Sequence, residues 1–127
     1  MIKVKSIFDA VEDDDGIRIW VEPVDLTRDL RTWCRVDHVL THIGPPRGLR
    51  DWFEEHPDGY DYFRATYHEW LSRSPFRKAL LQLAAAGRKQ TFTLLHQGDD
   101  PARNTGTALH EFLLDMASSW QAPDTEP

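Results

Sequence analysis

The segment that most constrains this chain runs from Gln90 to Met116. Thr91-Phe92-Thr93-Leu94-Leu95 is a short run of β-branched, aromatic and apolar residues, too short for an ordinary helix, and reads as a buried strand. His96-Gln97-Gly98-Asp99-Asp100-Pro101 makes a sharp polar turn. Ala108, Leu109, Phe112, Leu113 and Met116 then recur at helical spacing. A strand that turns sharply into a helix is the building unit of α/β folds, and ligands bind at the carboxyl ends of such strands.

Two strands are expected upstream. Ile2 to Phe8 alternates apolar and polar residues. Ile17 to Val21 places Ile17, Ile19 and Val21 on one face and Arg18, Trp20 and Glu22 on the other, until Pro23 stops it. The stretch between is helical in pattern. Asp29 to Ile43 is helix-compatible and closed by Gly44-Pro45-Pro46; Arg47 to His56 turns Leu49, Trp52 and Phe53 inward. After the break at Pro57-Asp58-Gly59, Tyr60, Phe63, Tyr67, Trp70 and Leu71 form an aromatic stripe, which reads as core rather than as a cofactor cradle. Ser74 and Pro75 suit the cap and first turn of a helix that carries Leu80, Leu81, Leu83 and Ala84 and stops at Gly87. Asp100 and Pro101 suit the same roles for the last helix.

A long helical crossover between the second and third strands implies that they run parallel with a right-handed connection. Their carboxyl ends, near Glu22 and His96, are then neighbours. The expected architecture is a single α/β domain over residues 1–117, with a small, mostly parallel sheet of three or four strands covered by about five helices, and a flexible tail over 118–127.

A net charge of −6 argues against general nucleic-acid binding, which needs clustered cations for phosphates. Arg73, Arg77, Lys78, Arg88 and Lys89 read as ordinary helix-surface charge. No apolar run is long enough to span a bilayer, and Met1 to Lys5 lacks the apolar core of a secretion signal. The single cysteine, Cys34, cannot form an internal disulfide, which agrees with a cytoplasmic setting.

Few residues carry a chemical signature. Cys34, His38 and His42 recur at four-residue steps, so on one helix they would share a face of metal-capable side chains. The outer two would stand ~12 Å apart, too far for one ion; His38 and His42 with a ligand such as His96 or His110 is the workable version. Core histidines and a core cysteine are the default, and no metal or cofactor is expected. Glu12-Asp13-Asp14-Asp15-Gly16 lacks calcium-loop spacing and reads as a solvated turn. His96 and Glu22 suit a general acid–base pair or a structural hydrogen bond. Arg50 suits an anion ligand or an ion pair with Glu22 or Asp51. Gly106, inside the last helix, costs ~1 kcal/mol against alanine and is expected to permit close approach of another backbone or of a ligand, close helix–strand packing being the plainer cause. No nucleophile elbow, P-loop or dinucleotide fingerprint is present.

Taken together, Asp9, Asp15-Gly16, Arg18, Val21-Glu22, Pro45-Pro46-Arg47-Gly48-Leu49-Arg50-Asp51-Trp52-Phe53, Phe63, Tyr67, Thr93-Leu94-Leu95, Asp100, Asn104 and Leu109 resemble domain-of-unknown-function family 488 in its short YeaO-like form. The resemblance runs from about Ile2 to Leu114 and implies an α/β fold, with no established reaction. It also implies two arginines after the second strand, a basic setting for an anion. Here Pro23 occupies the first of those positions, only Arg28 lies nearby, and Asp99 adds negative charge before the turn aspartate. The expectation is a ligand-binding domain with a cleft lined by Glu22, Arg50, His96, Asp100 and Asn104, whose small-molecule ligand is neutral, cationic or zwitterionic rather than a phosphate. The alternatives are an enzyme using His96 and Glu22, or a protein-interaction module, with a homodimer as one form of it.

Overall fold

The computed structural model describes residues 1–119. Four strands form one parallel sheet: β1 (Ile2–Ser6), β2 (Ile17–Trp20), β3 (His38–Val39) and β4 (Phe92–His96), in the spatial order β1-β4-β2-β3. Five α-helices accompany them: α1 (Arg28–Trp33), α2 (Arg47–Glu55), α3 (Tyr60–Ser72), α4 (Arg77–Ala86) and α5 (Thr105–Ser119). The α/β class, the strand range and the helix number are those expected from sequence. The boundary expected at 117 falls inside α5; residues 120–127 of the expected tail lie outside the described residues. Among the described residues no helix is long and apolar enough to cross a membrane.

β4 occupies the centre. Its five residues are all buried, as a strand between two others and covered on both faces must be. It pairs with β1 from Ile2↔Phe92 to Ser6↔His96 and with β2 from Ile17↔Phe92 to Trp20↔Leu95. The pleat separates its side chains. Phe92 and Leu94 join the main core with Ile19, Val21, Phe63, Tyr67, Leu109 and Leu113; Leu95 joins a smaller cluster with Ile7, Trp20 and Val36 on the other face. Most of the aromatic stripe of α3 is core, as expected: Phe63, Tyr67 and Leu71 have no exposed surface and Tyr60 is buried, while Trp70 is half-buried against them. Tyr67 also donates its hydroxyl to the Ile43 carbonyl at 2.6 Å.

The helix expected over Asp29 to Ile43 is shorter, and β3 replaces its second half. Thr27 caps α1 by accepting from Leu30 N–H, but the buried Arg18 guanidinium takes the carbonyls of Cys34 and Arg35 at 2.9–3.2 Å, where a continuing helix would bond them internally. Arg35 turns into the left-handed region at φ 49°, and Asp37 N–H bonds the Arg18 carbonyl at 2.8 Å, starting the β3 pairing. Tertiary hydrogen bonding outweighs local helix propensity here. Cys34, His38 and His42 therefore do not share a helix face. Cys34 ends α1, His38 lies in β3, and His42 lies in a 3₁₀ turn, edge-on to Phe76.

Two helix starts also differ from expectation. α4 begins at Arg77, because Ser74 Oγ accepts from Phe76 N–H and the Ser74 carbonyl accepts from Arg77, closing a turn first. α5 begins at Thr105, four residues beyond Pro101. Its cap is Asn104, whose Oδ1 accepts from Thr107 N–H at 2.8 Å. Asp100 instead accepts from Ala102 N–H at 2.8 Å in a local turn that Asn104 Nδ2 braces through the Asp100 carbonyl.

Gly106 has the packing role expected of it. A Cβ there would stand 2.8 Å from Val4 Cγ1 and 3.2 Å from His96 Cδ2, so α5 approaches the sheet as only glycine allows. Gly16 enters β2 at φ 64° with the Thr91 carbonyl against it, which leaves no room for any side chain.

Candidate functional site

The parallel pairing of β2 and β4 brings Glu22 and His96 to the same end of the sheet, as anticipated. Glu22 is 1 % exposed and its carboxylate accepts three hydrogen bonds. Oε1 accepts from Arg50 Nε at 3.0 Å and from Thr105 Oγ1 at 2.8 Å; Oε2 accepts from Gln97 N–H at 3.1 Å. One carboxylate thus ties the end of β2 to α2, to the β4–α5 turn and to the first residue of α5. Burying a charge is costly unless it is paired and hydrogen-bonded, and three donors meet that condition. Its charge and, above all, burial push the Tyr67 phenol well above its usual range.

His96 is 2 % exposed. Its Nδ1 accepts from Gly98 N–H at 3.0 Å, which selects the neutral ring with its proton on Nε2. Burial lowers its pKa; the Glu22 and Asp9 charges act in the opposite direction and Arg50 adds to the lowering. Glu22 and His96 are adjacent along the strand ends, but their side chains are not hydrogen-bonded to each other. Gln97 lies between, and its backbone reaches Glu22.

Outside this buried knot lies a cavity of about 200 Å³ between α2 and the β4–α5 turn. Arg50, Phe53, Glu54 and Pro57 line it from α2 and the break after it, and Gln97, Asp99, Asp100 and Arg103 line it from the turn before α5. Of the five residues expected from sequence, Arg50 and Asp100 line it. Glu22, His96 and Asn104 stand behind it, holding Arg50, the turn and the α5 cap in place. Both signs of charge line it: Arg103 pairs with Asp100 at 3.5 Å, and Arg50 reaches Glu54 at 4.0 Å. The Ala102 N–H bond, with Arg103, holds the Asp100 carboxyl below its usual range. Arg28, the arginine nearest the expected basic pair in sequence, starts α1 and does not line the cavity.

Sequence reasoning missed Thr105, Arg103 and the role of Asp15. Asn104-Thr105 is itself a capping signal, overshadowed by the stronger-looking Asp100-Pro101. Glu12, Asp13 and Asp14 are solvated as expected, but Asp15 is fully buried. It meets Arg18 at 2.6 Å and Lys3 and Lys5 at 3.1 Å each. Burial pushes its carboxyl up, but the Glu12 N–H and the two ammonium groups prevail and hold it well below the usual range. Glu12, Asp14 and Asp15 have ligand atoms within 4.8 Å of one another, but the lysines and Arg18 already compensate that charge.

A family model described as the inactive DUF488-N3 subclade matches residues 1–127. Uncharacterized proteins of Mycobacterium bovis and Mycobacterium tuberculosis are similar to the chain at 25% identity over 118 residues, covering 88% of this chain and 92% of theirs. No solved structure matches. With its whole length matched, the chain belongs to the inactive DUF488-N3 subclade.

Proposed function

We propose that this protein is a non-catalytic domain that binds a small zwitterionic molecule in the cavity at the carboxyl ends of β2 and β4. The supporting observation is the lining: two guanidinium groups and three carboxylates border about 200 Å³, so both signs of charge on one small ligand find partners. Phosphate is disfavoured, because Asp99, Asp100 and Glu54 would face it. The description of the subclade as inactive and the three donors on Glu22 favour binding over turnover. A net charge of −6 favours a small molecule over a nucleic acid, and a cytoplasmic setting belongs to the same reading.

Thermal-shift and calorimetric titration with free amino acids, γ-aminobutyrate and inorganic phosphate tests the idea. A ligand that binds only the folded state raises the melting temperature. At least one zwitterion is expected to do so, and Arg103→Gln or Asp99→Asn to remove the effect. Stabilisation by phosphate, with zwitterions silent, would overturn it. The competing acid–base reading requires a turnover that His96→Ala abolishes.

A further inference from the structure

α2 and α3 enclose a second concavity, a groove of about 560 Å³ lined by Pro46, Leu49, Trp52, Tyr62, Thr66 and Trp70. It shares no lining residue with the strand-end cavity. The Trp52 and Tyr62 rings lie 4.8 Å apart at 62°, two aromatic walls meeting in a corner, and Trp70 supplies a third ring. His56 stacks on Trp52 at 4.6 Å and 13°, which fixes the plane of the indole. Tyr62 is 59 % exposed, a large ring left in water beside two tryptophans.

The chemistry of this lining is narrow. Aromatic faces attract a cation within ~6 Å of the ring centroid, tryptophan most strongly. No lysine or arginine lines the groove. On the same helix Asp51 and Glu55 flank Trp52; both are exposed, and no ion pair engages either among the described residues. Arg47, exposed between the lining residues Pro46 and Gly48, offsets one of them, and the net charge of −6 tips the approach toward cations. The type of cation follows from hydrogen bonding. A primary ammonium or a guanidinium brings several N–H donors, and the only side-chain acceptors in the lining are the Thr66 and Tyr62 hydroxyls. Most donors would lose water without replacement. A quaternary ammonium has no N–H, and its methyl groups suit an apolar aromatic wall. We propose that the α2–α3 groove binds the head of a small quaternary ammonium compound.

Tryptophan-fluorescence and calorimetric titration with choline and tetramethylammonium, against the neutral isostere 3,3-dimethyl-1-butanol, tests this. Both cations are expected to saturate, and choline to bind roughly tenfold more tightly than the isostere, as a partly desolvated cation–π contact implies. Tyr62→Ala, at an exposed ring, should weaken choline about fivefold or more while Tyr62→Phe preserves it. Asp99→Asn, which lines only the strand-end cavity, should leave choline affinity unaltered even where it abolishes zwitterion binding, which separates the two sites. Equal affinity for the isostere, absence of a saturable signal, or indifference to Tyr62→Ala in a folded variant would overturn the proposal. Binding of a trimethyllysine peptide with choline silent would overturn its assignment to a small molecule.

Discussion

Arg18 Nη1 lies 2.6 Å from Asp15 Oδ2, with neither side chain exposed to solvent. The pair holds the second face of the sheet together, since Arg18 also bonds the carbonyls that end α1 and the Asp15 carbonyl accepts from Thr93 Oγ1 at 2.7 Å. Lys3 and Lys5 still reach Asp15 when Arg18 is lost, so the cost falls below the ~3–5 kcal/mol of a fully uncompensated buried charge and comes mainly from the Cys34 and Arg35 carbonyls left without their donor. Arg18→Met is expected to destabilise by about 2–3 kcal/mol in urea denaturation, and a loss under about 1 kcal/mol would contradict the role given to it.

Asp15 also sets the acid limb of stability. Its folded pKa is depressed below the ordinary 3.8, so its contribution is fully present above that value and is lost as the pH falls through and below it. Stability measured between pH 5 and the lowest pH at which the chain still folds should drop less steeply in Asp15→Asn than in the parent protein. Parallel slopes would show that Asp15 does not carry the effect.

His96 acts in a higher window, with the sign worked out from the same linkage. Its folded pKa lies below the ordinary 6.5, so the unfolded chain binds the proton more readily and stability declines as the pH falls below 6.5. His68 and His110 are lowered too, first by burial. Proton NMR titration should find these three imidazoles still neutral at pH values where a free histidine is half-charged. A His96 midpoint above 6.5 would contradict the geometry described for it.

Glu22 and Arg50 should show strong coupling. Glu22→Gln keeps an acceptor but leaves the Arg50 charge with only the exposed Glu54 at 4.0 Å, with an expected loss of about 2–4 kcal/mol, part of the cost of breaking a buried pair. Glu22→Gln with Arg50→Met should cost less than the two single changes summed, because the stranded charge is gone. Additivity within error would mean that Thr105 and Gln97, rather than Arg50, hold the carboxylate.

Gly106→Ala tests how tightly α5 lies against β1. Alanine improves local helix propensity by ~1 kcal/mol, yet its methyl would press on Val4, and overpacking typically costs 1–3 kcal/mol. We expect net destabilisation, relieved when Val4→Ala is added. A stabilised Gly106→Ala would show that the packing yields freely.

Much of the fold was legible because the period of the pattern matched a single structural cause. β4 read as a strand because it is buried on both faces, and α3 read as a helix because its aromatic residues recur on the side that meets the sheet. The segment from Asp29 to Ile43 did not, since the cause of its break is Arg18, well upstream in sequence and buried beneath it. The site divided similarly. Parallel pairing of β2 and β4 followed from the crossover, which placed Glu22, Arg50 and His96 in one region. Which of them meets solvent depends on where α5 starts, and two competing capping signals, Asp100-Pro101 and Asn104-Thr105, stand within six residues.

The strand at the centre of the sheet is the last of the four in the chain, and it separates two that precede it by some seventy residues or more. β1 and β2 are not hydrogen-bonded neighbours; β2 has the short β3 on its outer edge, but its inner edge and the whole of β1 find a partner only when β4 arrives. During synthesis, then, β1 has no strand to pair on through the first ninety residues, and joining it to the β2–β3 pair waits on β4. Closing such distant pairings is slow and leaves apolar strand edges open meanwhile. Truncation before Phe92 therefore removes the middle of the sheet rather than trimming its rim.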